Sequence, residues 1–156
     1  MILTPKAAEL KIKAHLKRVN QRETVVITPR LVSYWWKVLN IAVFQNELYI
    51  PNIKIVKQIS GEAFGECVGC ELSAADLEDY EDCDEYEDRI ARYVIIKIQS
   101  ELSSRRLFLN VLVHEMVHQW EWETYKNMGH SKRFFQWHDP IKKSTGLVLK
   151  KLYDRI

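Results

Sequence analysis

Apolar positions recur at helical spacing in four stretches of the chain and gather into three short strand-like runs. Thr4-Pro5 and Thr28-Pro29 each set a capping hydroxyl before a proline suited to the first turn of a helix, and apolar residues follow at helical spacing. This predicts helices over about 5–19 and 29–45. The second carries Leu31, Val32, Trp35, Trp36, Leu39, Val43 and Phe44, so it is apolar around much of its circumference and belongs in the core. Its aromatic stripe is read as packing. After Pro51, residues 53–58 and 63–68 are short, rich in β-branched or apolar side chains and separated by Ser60-Gly61, which predicts a hairpin; residues 93–98 predict a third strand. Ser103 and Ser104 offer an N-cap for a long helix over about 105–124, with Leu107, Phe108, Val111, Leu112 and Trp120 on its buried side. A last helix over about 131–144 is expected to stop at Gly146.

The order α, α, β, β, β, α, α predicts an α+β domain in which a small antiparallel three-stranded sheet packs with helices. At 156 residues the chain fits one domain over 1–156, and a 47% hydrophobic content with five Trp and five Phe is ample for a single core. The longest apolar run, residues 107–113, is broken by Asn110 and is too short to span a bilayer. No membrane segment is expected. The N-terminus lacks the apolar core and small-residue cleavage site of a secretory signal, which points to the cytoplasm or a similar reducing space. Cys67, Cys70 and Cys83 make an odd number without such a signal, so reduced thiols are expected in place of a disulfide framework. Cys67-x-x-Cys70 resembles half of a zinc knuckle, but only Cys83 could extend it.

A net charge of +2 hides an uneven distribution. Residues 71–88 hold ten acidic side chains and no Lys or Arg, which leaves 23 Lys and Arg against eleven acids elsewhere. The basic charge gathers at both ends: residues 1–37 and 124–156 each have eight Lys or Arg against two acids. Weak, non-specific binding of nucleic acid is one reading of that surface, and an ordinary solvated basic face is the other. The acidic insertion lacks the Gly and the regular acidic spacing of a calcium loop. It is expected to be solvated, with a lid or an internal decoy for the basic surface as the alternative.

Candidate chemistry lies in the long helix. His114-Glu115-Met116-Val117-His118 puts two imidazoles at i and i+4 on one face, where they can converge on one ion. Glu115, about 100° round the helix from His114, cannot easily join them as a ligand but can reach an open, water-filled position as a general base. A metzincin would need Gly at 121 and His at 124, whereas these are Glu121 and Thr124. The third ligand is expected from outside the helix so that a tetrahedron can close. His130, after Gly129, is favoured over His138 and Glu121. His15, in the basic N-terminal helix, is expected to be a surface residue.

The chain resembles the SprT-like family of metallopeptidases, which includes bacterial SprT proteins and the protease domain of Spartan. The matching elements are HEMVHQW at 114–120, GHSKRF at 129–134, KKSTGL at 142–147, and FQNEL at 44–48 followed by Pro51. The resemblance covers residues 28–147. It implies a zincin-like fold, one zinc ion held by His114, His118 and His130, and Glu115 as the catalytic base. It also implies substrates among nucleic-acid-associated proteins. The acidic insertion at 71–88 departs from the family pattern, and the C-terminal recruiting modules common in the family are expected to be missing after Ile156. The leading expectation is a zinc endopeptidase acting on protein or peptide. Its rivals are a zinc-stabilised structural or binding subunit of a larger assembly, and a zinc hydrolase for a non-protein amide. The oligomeric state is left open.

Overall fold

The computed structural model describes residues 2–19, 22–59, 61, 63–69 and 94–153. The acidic insertion, Cys70 and Cys83 lie outside the described residues. Helix α1 (Pro5–Arg18) begins where the Thr4 hydroxyl accepts from the Ala7 N–H at 3.1 Å, and α2 (Pro29–Phe44) begins in the same way from Thr28 to Leu31 at 3.1 Å. Each such cap contributes about 1 kcal/mol. Ala8, Ile12 and Leu16 form the buried stripe of α1, which packs on α2. Helix α2 ends in a left-handed turn, Gln45 and Asn46 having φ of 57° and 60°. Buried Asn40 fastens that turn: its side-chain amide donates to the Leu48 carbonyl and accepts from the Leu48 N–H, both at 3.1 Å.

Strands β2 (Asn52–Val56), β3 (Gly65–Gly69) and β4 (Val94–Gln99) form one sheet in the order β2-β4-β3. Strand β4 runs parallel to β2, in register Asn52 with Ile95, and antiparallel to β3, in register Gly65 with Ile98. The sheet is therefore mixed, not antiparallel, and residues 53–58 and 63–68 do not form the expected hairpin. The physical reason is apolar content. The Val-Ile-Ile-Lys-Ile-Gln strand, with Val94, Ile96 and Ile98 buried, gains most from having a neighbour on both sides, and it separates the two strands that adjoin in sequence. A second, two-stranded sheet pairs β1 (Val25–Val26) with β5 (Glu101–Leu102) antiparallel. Such short strands leave no periodic signal.

Helix α3 (Arg105–Tyr125) starts at Ser104, whose hydroxyl accepts from the Leu107 N–H at 3.0 Å, and it packs on β3, β4 and α2. Leu109, Leu112, Val113, Met116 and Val117 are all fully buried, so the helix runs through the core. The expected helix over 131–144 is divided into α4 (Lys132–Phe135) and α5 (His138–Thr145). Pro140 explains the break: in a continuous helix its ring would clash with the Gln136 carbonyl, whereas in the first turn of a new helix it is tolerated. Gly146 then ends α5 at φ 81°. The described residues form an α+β fold, and none of their helices is long and apolar enough to cross a membrane.

Strand β3 approaches α3 closely because it carries glycine where a side chain would collide. A Cβ at Gly69 would run into the Trp122 ring, and one at Gly65 would sit 2.7 Å from Val111 Cγ1. Gly69→Ala is therefore expected to destabilise the protein by about 1–3 kcal/mol, the usual cost of overpacking. Gly129→Ala, where nothing lies within 4 Å of the added atom, serves as the control and should stay within about 0.5 kcal/mol of wild type. Urea denaturation of both variants checks this; equal stability of the two would mean that the β3–α3 approach is not tight.

Candidate metal centre

His114 and His118 lie one turn apart on α3, with ring centroids 4.9 Å apart. The chain leaves the helix at Lys126, which takes a left-handed conformation at φ 58° and so turns residues 127–131 back toward it. That return brings His130 to the pair. The three Nε2 atoms form a triangle with every side 3.2 Å. Phe134, fully buried, backs all three rings, at centroid distances of 4.9, 4.6 and 5.0 Å from His114, His118 and His130.

Hydrogen bonding decides what that triangle can do. His114 Nδ1 lies 2.8 Å from the Lys150 carbonyl, and His118 Nδ1 lies 3.3 Å from Glu121 Oε1. A carbonyl and a carboxylate can only accept, so each Nδ1 carries the ring proton and each Nε2 is left with a lone pair. These two lone pairs face each other without a proton between them. Burial, reinforced by the neighbouring imidazoles, holds His114 down to about 3 and His118 down to about 4. His130 is lowered as well, by burial and then by Lys151, against an opposing pull from Glu121. All three rings are thus neutral at pH 7, the form that ligates metal. A tetrahedral ion bound at about 2.0–2.1 Å needs its ligand nitrogens about 3.3 Å apart, close to the spacing found. The residues fit the group. The three side chains form a metal-capable cluster, with His114 and His118 buried and His130 exposed.

The cluster opens onto a cavity of about 310 Å³ with apolar walls that include Phe64, Val111, Met128 and Leu152. Glu115 lines the same cavity and is buried; that burial, followed by the charge of Glu66, pushes its carboxyl up to about 8. Gly65 makes room for it, since a Cβ there would stand 3.0 Å from Glu115 Cγ and 3.1 Å from Oε1. Among the expected site residues, His114, Glu115, His118 and His130 share this cavity. The two alternative ligands do not join the cluster: Glu121 sits behind His118, and His138 engages the exposed Asp139 at 3.0 Å. His15 is not a free surface residue but packs against the Trp35 ring at 4.5 Å. Cys67 also lines the cavity.

Three participants were not expected from the sequence: the Lys150 carbonyl, Asn110 and Tyr153. The Lys150 carbonyl is a backbone group and carries no residue signal. Asn110, whose side-chain oxygen accepts from the Val148 N–H at 3.0 Å, holds the segment that presents Lys150. Its signal was present, as the polar break in the apolar run before His114. Tyr153 closes that segment, donating from its hydroxyl to the Val148 carbonyl at 2.8 Å and accepting from the Lys150 N–H at 3.2 Å. Burial pushes its hydroxyl above the ordinary tyrosine range.

Fold and site together define a class, an α+β protein with a three-imidazole centre able to hold a metal ion. Residues 33–152 match the SprT-like family, and the chain belongs to that family. No curated protein and no solved structure matches the chain.

One metal ion per chain is the expected stoichiometry when the protein is equilibrated with zinc and desalted. His114→Ala and His118→Ala should retain almost none. Elemental analysis decides, and near-zero metal in the reconstituted wild type would remove the site.

Proposed function

We propose that this chain is a zinc-dependent endopeptidase with a zincin-like active site, in which His114, His118 and His130 hold the ion and Glu115 is the general base. One observation carries the reading: three neutral imidazoles open onto a cavity that also contains a buried acid. A purely structural centre would close its fourth position with a protein ligand and would have no use for that acid. The donor set of three imidazoles favours zinc over magnesium or calcium.

When bound, zinc lowers the pKa of water toward about 7 and polarises a carbonyl oxygen. The chain's own residues do the rest. Glu115 takes the proton of the attacking water and returns it to the leaving amine, so the proton count closes over one hydrolysis. Burial and the charge of Glu66 would keep Glu115 protonated at neutral pH, whereas the charge of a nearby dication would favour the carboxylate that a base must be. The Lys150 carbonyl and Glu121 carboxylate keep the ring protons of His114 and His118 on Nδ1, away from the ion. Phe64, Val111, Met128 and Leu152 give the cleft apolar walls suited to a peptide side chain and poor in competing water.

Glu115→Gln is expected to keep the metal and lose about two to four decades of turnover on denatured casein. Activity of the wild type should disappear with chelator. Undiminished proteolysis by a metal-loaded Glu115→Gln protein would reject the base. A metal-loaded wild type that cleaves no protein would favour a structural zinc subunit or a hydrolase of non-protein amides.

The substrates are proposed to be proteins associated with nucleic acid, contacted through the basic surface. Lys6 and Lys13 of α1 and Lys143 of α5 line one groove, together with Glu9 and Asp139. Binding through phosphate contacts should be weak and should fall steeply with salt, because each contact releases condensed counterions. Replacing the acids of residues 76–88 with Ser, Asn and Gln is expected to raise affinity for a labelled single-stranded oligonucleotide at low salt. Fluorescence anisotropy at two salt concentrations is the measurement. No binding by either protein at low salt would withdraw the nucleic-acid link.

A further inference from the structure

Glu121 is outside the triad, yet its side chain is completely enclosed. An enclosed carboxylate is unfavourable unless each oxygen has a partner, and its partners here come from three parts of the chain. Oε1 faces His118 Nδ1 at 3.3 Å and accepts from the Gly129 N–H at 3.4 Å, while Oε2 accepts from Arg133 Nε at 3.2 Å. Arg133 is fixed in turn: its guanidinium lies 4.1 Å from the centroid of the Tyr125 ring, and Nη2 donates to the Asn127 carbonyl at 3.5 Å. Gly129 directly precedes His130, and Arg133 directly precedes Phe134. The partners of this one carboxylate are therefore a ligand ring, the residue before another ligand ring, and the residue before the phenyl group that backs all three.

We propose that Glu121 is the positioning residue of the metal centre. It selects the Nδ1-protonated tautomer of His118 and holds the 126–131 return against α3 at the place where His130 must meet the ion. A carboxylate accepting from the far nitrogen of a ligand imidazole fixes the ring's orientation and raises its basicity toward metal. A role in fold stability alone accounts poorly for the arrangement. Enclosing a carboxylate costs desolvation that a pairing with partly exposed Arg133 does little more than offset, and apolar packing of similar volume would avoid that cost. The spacing supports the assignment, because residues three apart on a helix are surface neighbours and Glu121 reaches back along α3 to His118. The inference rests on the reading of His114, His118 and His130 as metal ligands.

The test compares zinc dissociation constants, by chelator competition, for the wild type, Glu121→Gln and the double variant Glu121→Gln/Arg133→Gln, which leaves no charge unpaired. Both variants are expected to bind zinc about 10- to 100-fold more weakly than wild type, scored per folded molecule by circular dichroism. A Glu121 that served stability alone would lower the unfolding temperature of the metal-free protein and leave the constants within about threefold, which overturns the proposal. Nitrogen-15 NMR of the zinc-loaded wild type needs no variant and decides the matter even if neither folds. The expected signature is a His118 ring coordinated through Nε2 with an exchange-protected proton on Nδ1; coordination through Nδ1, or an unprotected Nδ1 proton, overturns the proposal. A wild type that binds no zinc would instead refute the ligand reading itself, a result distinct from tight wild-type binding with unaffected variants.

Discussion

Three imidazole nitrogens held 3.2 Å apart, two of them with lone pairs turned toward each other, are a local electrostatic cost that the rest of the chain must hold in place. Without a cation at their centre, nothing about the rings themselves favours the arrangement. It is imposed from outside by acceptors on the far nitrogens and by the phenyl ring of Phe134 behind them. Much of the architecture around α3 is a set of devices for that purpose. Asn110 and His114, one turn apart, both bond the returning segment, at Val148 and at Lys150, so a single stretch of backbone is pinned at two points before it crosses the cavity.

The same helix ties the other side of the molecule to the site through buried Gln119 and half-buried Glu123 in its second half. Gln119 accepts from Trp36 Nε1 at 3.0 Å and donates to the Tyr49 carbonyl at 2.6 Å, and the Glu123 carboxylate accepts from the Tyr49 N–H at 2.8 Å. Helix α2, the turn before β2 and α3 are thereby joined by directed bonds in addition to apolar contact. Directed bonds matter here because apolar packing tolerates small slips, while a triad of nitrogens spaced to hold one ion would not. This accounts for a central helix that is not amphipathic. One face carries the imidazole pair and Glu115, another supplies anchors, and the remainder is core.

How far the sequence disclosed this depends on the range of the interactions involved. The capping hydroxyls of Thr4, Thr28 and Ser104 act over three residues, and the helices they start are found within a residue or so of the expected bounds. The i, i+4 pairing of His114 and His118 is equally local. Pro140 was a local signal too, and its meaning for the 131–144 helix was there to be read. Sheet order was not, because nothing near residues 53–68 reveals that a strand from beyond residue 90 is apolar enough to take the place between them. The same limit applies to the site: the imidazoles announced themselves, whereas the Lys150 carbonyl and the space beside Gly65 exist only through tertiary packing.

Glu115 is buried at a cost in stability that the proposed chemistry would explain. Its folded-state pKa is raised from 4.5 to about 8, so in the metal-free protein it favours the fold below about pH 4.5 and counts increasingly against it as pH rises to about 8. At pH 7 that penalty is on the order of a few kcal/mol, a large part of the stability of an ordinary domain. An amide or an apolar side chain would avoid it. Strand β3 adds to the burden, giving up a side chain at Gly65 so that the backbone can lie against the carboxyl and complete its burial. A chain selected for stability alone would have placed neither residue there. The charge of an ion in the triad would reverse the balance by favouring the carboxylate, which is what the proposed metal-bound enzyme requires.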